Sequence, residues 1–157
     1  MSVSVLLLLP ALILSCPFEL VISSSADTKI DRGNQNYTSS TYIPYECDWR
    51  YHDAVCIWDS SPRSNGVFSF VEHFPLEAWM EPTVLSATVF FRLYYRGWVY
   101  INGKLVCDRV DAYDTTCEFR NYLAYGKTNE FRIDVENNWG NGMLIFEVRI
   151  GFSQNLS

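Results

Sequence analysis

The sequence predicts an all-β protein, an antiparallel β-sandwich preceded by a signal peptide, and three observations carry that expectation. Leu85, Ala87, Val89, Phe91, Leu93 and Tyr95 fall on one side of a run whose other side is mostly Ser86, Thr88, Arg92 and Arg96, the period-two pattern of a half-buried strand. Asn102-Gly103 is the dipeptide best able to supply two successive positive φ values, so it closes a type I′ hairpin between Trp98–Ile101 and Lys104–Val106. No long stretch has helical spacing, and short strand-like runs recur at the intervals of an antiparallel sandwich.

Length and composition bound the rest. A chain of 157 residues, 48% hydrophobic and 19% charged, suffices for one domain with a single core. Ten Tyr, ten Phe and five Trp exceed what such a core needs, so some rings are expected on the surface. The net charge of −6, with no run of Lys or Arg, argues against nucleic acid as a partner.

Taken in order, Val3 to Ile22 is almost uniformly apolar and ends in Ser23-Ser24-Ser25-Ala26, which reads as a secretory leader cleaved after Ala26. The competing readings are an uncleaved anchor, weakened by Glu19 and two prolines, and a lipid anchor on Cys16, weakened by the bulk of Leu14. The domain division that follows is a leader over 1–26, a flexible polar segment over 27–42 and the sandwich over 43–157. No membrane span remains after cleavage, and the expected location is outside the cell or at its surface. Asn36-Tyr37-Thr38 and Asn155-Leu156-Ser157 are N-glycosylation acceptor sequences, so Asn36 and Asn155 are candidate glycan sites.

Removing the leader leaves Cys47, Cys56, Cys107 and Cys117, an even number suited to two disulfides in an oxidising compartment. Three pairings are open, and local pairing is favoured: Cys107 with Cys117 around the intervening loop, and Cys47 with Cys56. Zinc is disfavoured, because no Cys-x-x-Cys occurs and neither His52 nor His73 has a matching spacing.

Val55–Trp58 and Val67–Phe74 read as strands separated by a loop, and Leu76–Met80 as a single helical turn before Pro82. In the hairpin, a two-residue turn sets Val99 opposite Val106 and Tyr100 opposite Leu105. Trp98 then shares the Tyr100 and Leu105 face, where packing is its expected role. Phe131, Ile133 and Val135 alternate with Glu130, Arg132, Asp134 and Glu136, and Leu144, Phe146, Val148 and Ile150 alternate with Glu147 and Arg149. Both runs are strands, joined by the loop Asn137 to Gly142.

The order of these features resembles the galactose-binding-domain-like jelly rolls, found beside the catalytic domains of many glycoside hydrolases and among carbohydrate-binding modules. The matching pieces are the hairpin Tyr100-Ile101-Asn102-Gly103-Lys104, the later turn with Leu123, Gly126 and Asn129, and Trp58-Asp59 ahead of the Val67–Leu76 strand. The resemblance covers roughly Val55 to Ile150 and rests on turn chemistry, so it implies a fold more strongly than a ligand. It implies accessory, non-catalytic domains. It also raises a structural Ca²⁺ held by Asp108, Asp111 and Asp114, although a solvated acidic loop explains that spacing more simply.

Material for catalysis is thin. Neither His52 nor His73 accompanies a Gly-x-Ser-x-Gly turn, His73 sits in a strand pattern, and Asp134 and Glu136 lie on an outward strand face. Sugar binding needs an apolar ring and a few fixed polar groups, and two loops offer them. One holds Trp58, Asp59, Arg63 and Asn65; the other holds Asn138, Trp139 and Asn141. The plainer alternative has both Trp rings sealing the ends of the core, with the asparagines shaping turns. The sequence therefore points to a non-catalytic module whose partner is a glycan or glycoprotein. An assembly subunit of an extracellular filament, coat or surface complex that contacts other proteins is the second reading, and an enzyme the last.

Overall fold

The computed structural model describes residues 18–32, 36–43, 54–59, 65–110, 115–138 and 142–153. In chain order the strands are β1 (Phe18–Ser23), β2 (Lys29–Asp31), β3 (Tyr37–Ser39), β4 (Thr41–Tyr42), β5 (Ile57–Trp58), β6 (Gly66–Leu76), β7 (Val84–Leu93), β8 (Arg96–Ile101), β9 (Lys104–Val110), β10 (Thr115–Glu118), β11 (Lys127–Asn137) and β12 (Leu144–Phe152). Short 3-10 helices at Ala78–Thr83 and Arg120–Tyr122 are the only helical turns among the described residues. None is long and apolar enough to cross a membrane.

Two six-stranded antiparallel sheets form the body. The first runs β10-β7-β12-β5-β4, with β1 also on β12; the second runs β3-β2-β6-β11-β8-β9. Their inward faces share one core, in which Phe131 of β11 meets Phe146 of β12 at 5.0 Å between ring centroids. The alternating run in β11 sends Asn129, Phe131, Ile133, Val135 and Asn137 inward, as its period requires. A smaller cluster of Ala54, Cys56, Met143 and Ile145, with Tyr94 against it, forms apart from that core.

The segment expected to be a leader end and flexible lead-in is paired structure. All six residues of β1 lie against β12, from Phe18 opposite Phe152 to Ser23 opposite Glu147. Leu20 and Ile22 pack on the core. Fully buried Ser24 donates its hydroxyl to the Val55 carbonyl at 2.7 Å and accepts from the Phe146 amide at 3.1 Å. Residues 29–31, 37–39 and 41–42 are strands of both sheets, not a free tether. Their polar composition hid this, because an edge strand joined through its backbone needs few apolar side chains, and Ile30 is the one that enters the core here. Residues 1–17, the rest of the expected leader, lie outside the described residues.

Two register shifts correct the strand readings. In β7, Phe152 of β12 opposes Val84 while Gly151 opposes Ser86, so Leu85 is an extra, unpaired residue. That bulge turns Val84 into the core and leaves Leu85 61% exposed, whereas Ala87, Val89, Phe91 and Leu93 are buried as expected, with Phe90 buried as well. The run ends at Leu93; Tyr95, with φ 69°, belongs to the connection that carries the chain to the second sheet. In the β8–β9 hairpin Tyr100 does oppose Leu105, but Val99 opposes Cys107 because Val106 is bulged.

The second bulge has a clear result: it rotates Cys107 into the core. There Cys107 bonds to Cys117 with a Cα separation of 6.4 Å, tying edge strand β9 of one sheet to edge strand β10 of the other. Cys56 is also disulfide-bonded; Cys47 lies outside the described residues. Strand β6 extends to Leu76, so the helical turn begins at Ala78, and β5 is only Ile57–Trp58. On the outer face the Arg96 guanidinium lies 4.8 Å from the Trp98 ring and Arg132 lies 4.3 Å from Tyr100, which accounts for both rings as sheet-face packing.

Candidate functional site

The Asn-Gly hairpin and the later Gly126…Asn129 turn, separate in sequence, interlock at one end of the sandwich. Asn102 and Gly103 take φ of 51° and 75°, the positive pair a type I′ turn requires. The Asn102 side chain donates to the Tyr122 carbonyl at 2.9 Å and to Asn129 Oδ1 at 2.8 Å, while its own oxygen accepts from the Glu130 amide at 3.0 Å. Fully buried Asn129 also accepts from the Ala124 amide and donates to the Ala124 carbonyl, each at 2.8 Å. Gly126, at φ 70°, donates to the Leu76 carbonyl at 2.7 Å. Phe119 is buried and donates its amide to Ala87 at 2.9 Å.

These bonds hold residues 119–126 against the end of both sheets and leave Arg120, Asn121 and Tyr122 exposed. The facing wall is the 3-10 helix Ala78–Thr83, fixed by the Thr83 hydroxyl on Met80 at 2.7 Å and by the Ser153 amide on the Thr83 carbonyl at 2.6 Å. Two hollows border the loop, the larger against the start of β7 and the smaller against the 3-10 helix. One of about 420 Å³ is lined by Leu85, Ser86, Ala87, Glu118, Phe119, Arg120, Asn121 and Tyr122. The other, about 290 Å³, is lined by Glu81, Arg120, Asn121, Leu123 and Tyr125. Arg120 and Asn121 form the ridge shared by both.

The groove's charges are uncommitted: among the described residues no ion pair engages Glu81, Glu118 or Arg120. Burial raises the Tyr125 hydroxyl pKa above its ordinary value, with Arg120 drawing it down and Glu81 pushing it further up. The Tyr125 phenol, which lines the smaller hollow, is therefore within reach of both charges. Such a groove can offer carboxylate acceptors, guanidinium and amide donors, and ring faces at once.

Of the residues singled out by sequence, Trp58, Asp59, Asn65 and Asn138 lie at the opposite end. Trp58 is 0% exposed, its ring 5.1 Å from Phe68 and 5.5 Å from Phe70. Gly142 packs so closely that a Cβ there would overlap the Trp58 ring. Trp58 seals the core, and its ring face is not open to a sugar. Asp59 is buried and ion-paired with Arg32. Asn65 and Asn138 are exposed at this rim; Arg63, Trp139 and Asn141 lie outside the described residues.

Of the suggested Ca²⁺ ligands, Asp108 has both oxygens on Arg96, at 3.0 and 2.7 Å, and that pairing lowers its pKa. Asp111 and Asp114 lie outside the described residues, among which no group of three potential metal ligands gathers. His73 is on strand β6, exposed and 3.6 Å from Glu130; His52 is outside the described residues. Asp134 faces outward against Arg132 at 3.2 Å. Asn36 is exposed beside strand β3, and Asn155 lies outside the described residues.

No family model and no curated protein sequence matches this chain. Solved structures do. A β-glucuronidase from Ruminococcus gnavus superposes with a TM-score of 0.54 at 13% identity, over 85% of this chain and 29% of that one. The R. gnavus β-glucuronidase in complex with D-glucuronic acid gives 0.53 at 13% identity, over 83% and 30%. The likeness is one of fold, and this chain spans less than a third of the length of those structures.

The groove was not foreseen in the sequence. Its signal was present in Glu118-Phe119-Arg120-Asn121-Tyr122, where an acid, a base, an amide and a ring surround one buried Phe. What the sequence lacked was the partner wall: Glu81 and Leu85 are about forty residues upstream and reach the site only through the β7–β10 pairing and the 3-10 helix.

Proposed function

We propose that this chain is a secreted, non-catalytic carbohydrate-binding module of the galactose-binding-like jelly-roll type, acting outside the cell or at its surface. The observation that carries the reading is the end groove, which sets Tyr122 and Tyr125 beside uncommitted Glu81, Glu118 and Arg120 and the Asn121 amide. That mixture suits a sugar, whose hydroxyls need donors and acceptors and whose C–H face needs a ring. The likeness in fold to part of a β-glucuronidase supports a carbohydrate context, and the disulfides support export. The test is a glycan array probed with wild type, Tyr122→Ala and Trp139→Ala, each checked for retained fold. Binding abolished by Tyr122→Ala supports the groove; loss with Trp139→Ala alone moves recognition to the opposite rim; no binding by wild type overturns the reading.

A second reading, an assembly subunit, has its own support. Phe18, Trp79 and Leu85 are 59%, 60% and 61% exposed, all toward the end that carries the groove. Large apolar side chains left in water mark protein contacts when they cluster. Sedimentation showing a stable complex that Trp79→Ser with Leu85→Ser dissolves, without any glycan bound, would favour it.

A further inference from the structure

We infer that the groove takes a neutral oligosaccharide of at least two units, lying across the Arg120-Asn121 ridge with one sugar in each hollow. This rests on the carbohydrate reading and specifies its ligand. The two hollows repeat one composition: Tyr122 with Glu118 in the larger, Tyr125 with Glu81 in the smaller, and Arg120 with Asn121 in both. A ring, an acid and a donor pair are what one sugar unit requires, and here the set occurs twice around a shared centre. The two hollows adjoin, since Arg120 and Asn121 line both, so neighbouring units of one chain can occupy them together.

Charge selects against an acidic glycan. Two carboxylates face one guanidinium, so the groove is net negative, as is the chain at −6. An added ligand carboxylate would gain Arg120 but meet Glu81 and Glu118 on either side. Neutral hydroxyls instead donate to both acids and accept from Arg120 and Asn121, forming charge-assisted hydrogen bonds without repulsion.

The test is titration calorimetry of the intact protein with β-linked gluco- and galacto-oligosaccharides of one to four units, and with matched uronic-acid oligosaccharides. Neutral disaccharides should bind about tenfold more tightly than monosaccharides, or better, with acidic counterparts weaker. Glu118→Gln and Glu81→Gln, both at exposed positions, should each weaken the disaccharide severalfold. Equal affinity for mono- and disaccharide, preference for the uronic series, or indifference to both substitutions overturns this inference while leaving sugar binding intact. No binding to any sugar overturns both.

Discussion

Replacing Asn129 by Ala should loosen the end loop that builds the groove. The side chain is fully buried and makes three hydrogen bonds, one with Asn102 and two with the Ala124 backbone. Each such bond contributes about 0.5–1.5 kcal/mol net, and a buried partner left unpaired loses more than a solvated one. The expected loss is therefore about 3 kcal/mol, which for a domain of this size lowers the melting temperature by roughly 6–12 °C. Urea unfolding followed by tryptophan fluorescence reads it directly, with exposed Asn121→Ala as a control expected to stay within about 0.5 kcal/mol. Because these bonds fix Ala124 and orient the Asn102 amide that holds the Tyr122 carbonyl, Asn129→Ala should also weaken oligosaccharide binding. A stability loss below about 1 kcal/mol would refute the claim that this clasp holds the loop.

Three further outcomes follow from the fold. A chain beginning at Asp27 should be about 3–5 kcal/mol less stable than one beginning at Phe18, because it loses the β1 ladder and the burial of Leu20 and Ile22; equal urea midpoints would contradict the assignment of β1 to the domain. Replacing Cys107 and Cys117 together by Ala opens a loop with a sequence separation of 10 and should remove about 2.7 kcal/mol, read in urea; an unchanged midpoint would show that the link between the sheets is dispensable. Burial raises the Glu72 carboxyl above its ordinary 4.5, against the opposing Thr28 hydrogen bond and the His73 and Lys29 charges. The folded state thus binds that proton more tightly than the unfolded chain, so this group's contribution falls as pH rises from 4.5 through the raised value. Glu72→Gln should remove that fall, and identical pH profiles for wild type and variant would contradict it.

What could be read in the sequence was whatever local chemistry decides. Asn102-Gly103 needs positive φ, and the chain reverses there. Phe131, Ile133 and Val135 alternate, and β11 has that face inward. The Cys107–Cys117 pairing followed from proximity along the chain, though not the bulge at Val106 that makes it possible. What was illegible was set by distant partners. The pairing of apolar β1 with β12, and of polar β2 with β6 and β3, is announced by no local pattern. Trp58, at the end of a strand-like run and the start of a loop, reads as a binding ring or a plug, and Phe68, Phe70 and Gly142 packed around it account for its full burial. The groove was hidden for the same reason, since its walls come from two segments that no local pattern connects.

The most direct measurement is a titration of isotopically labelled protein with a neutral disaccharide, followed by amide chemical shifts. Saturable shifts confined to Glu81, Leu85–Ala87 and Glu118–Tyr125 are the predicted result. Shifts centred instead on Asn65 and Asn138 at the far rim, or spread over the Trp98 and Tyr100 face, would contradict it.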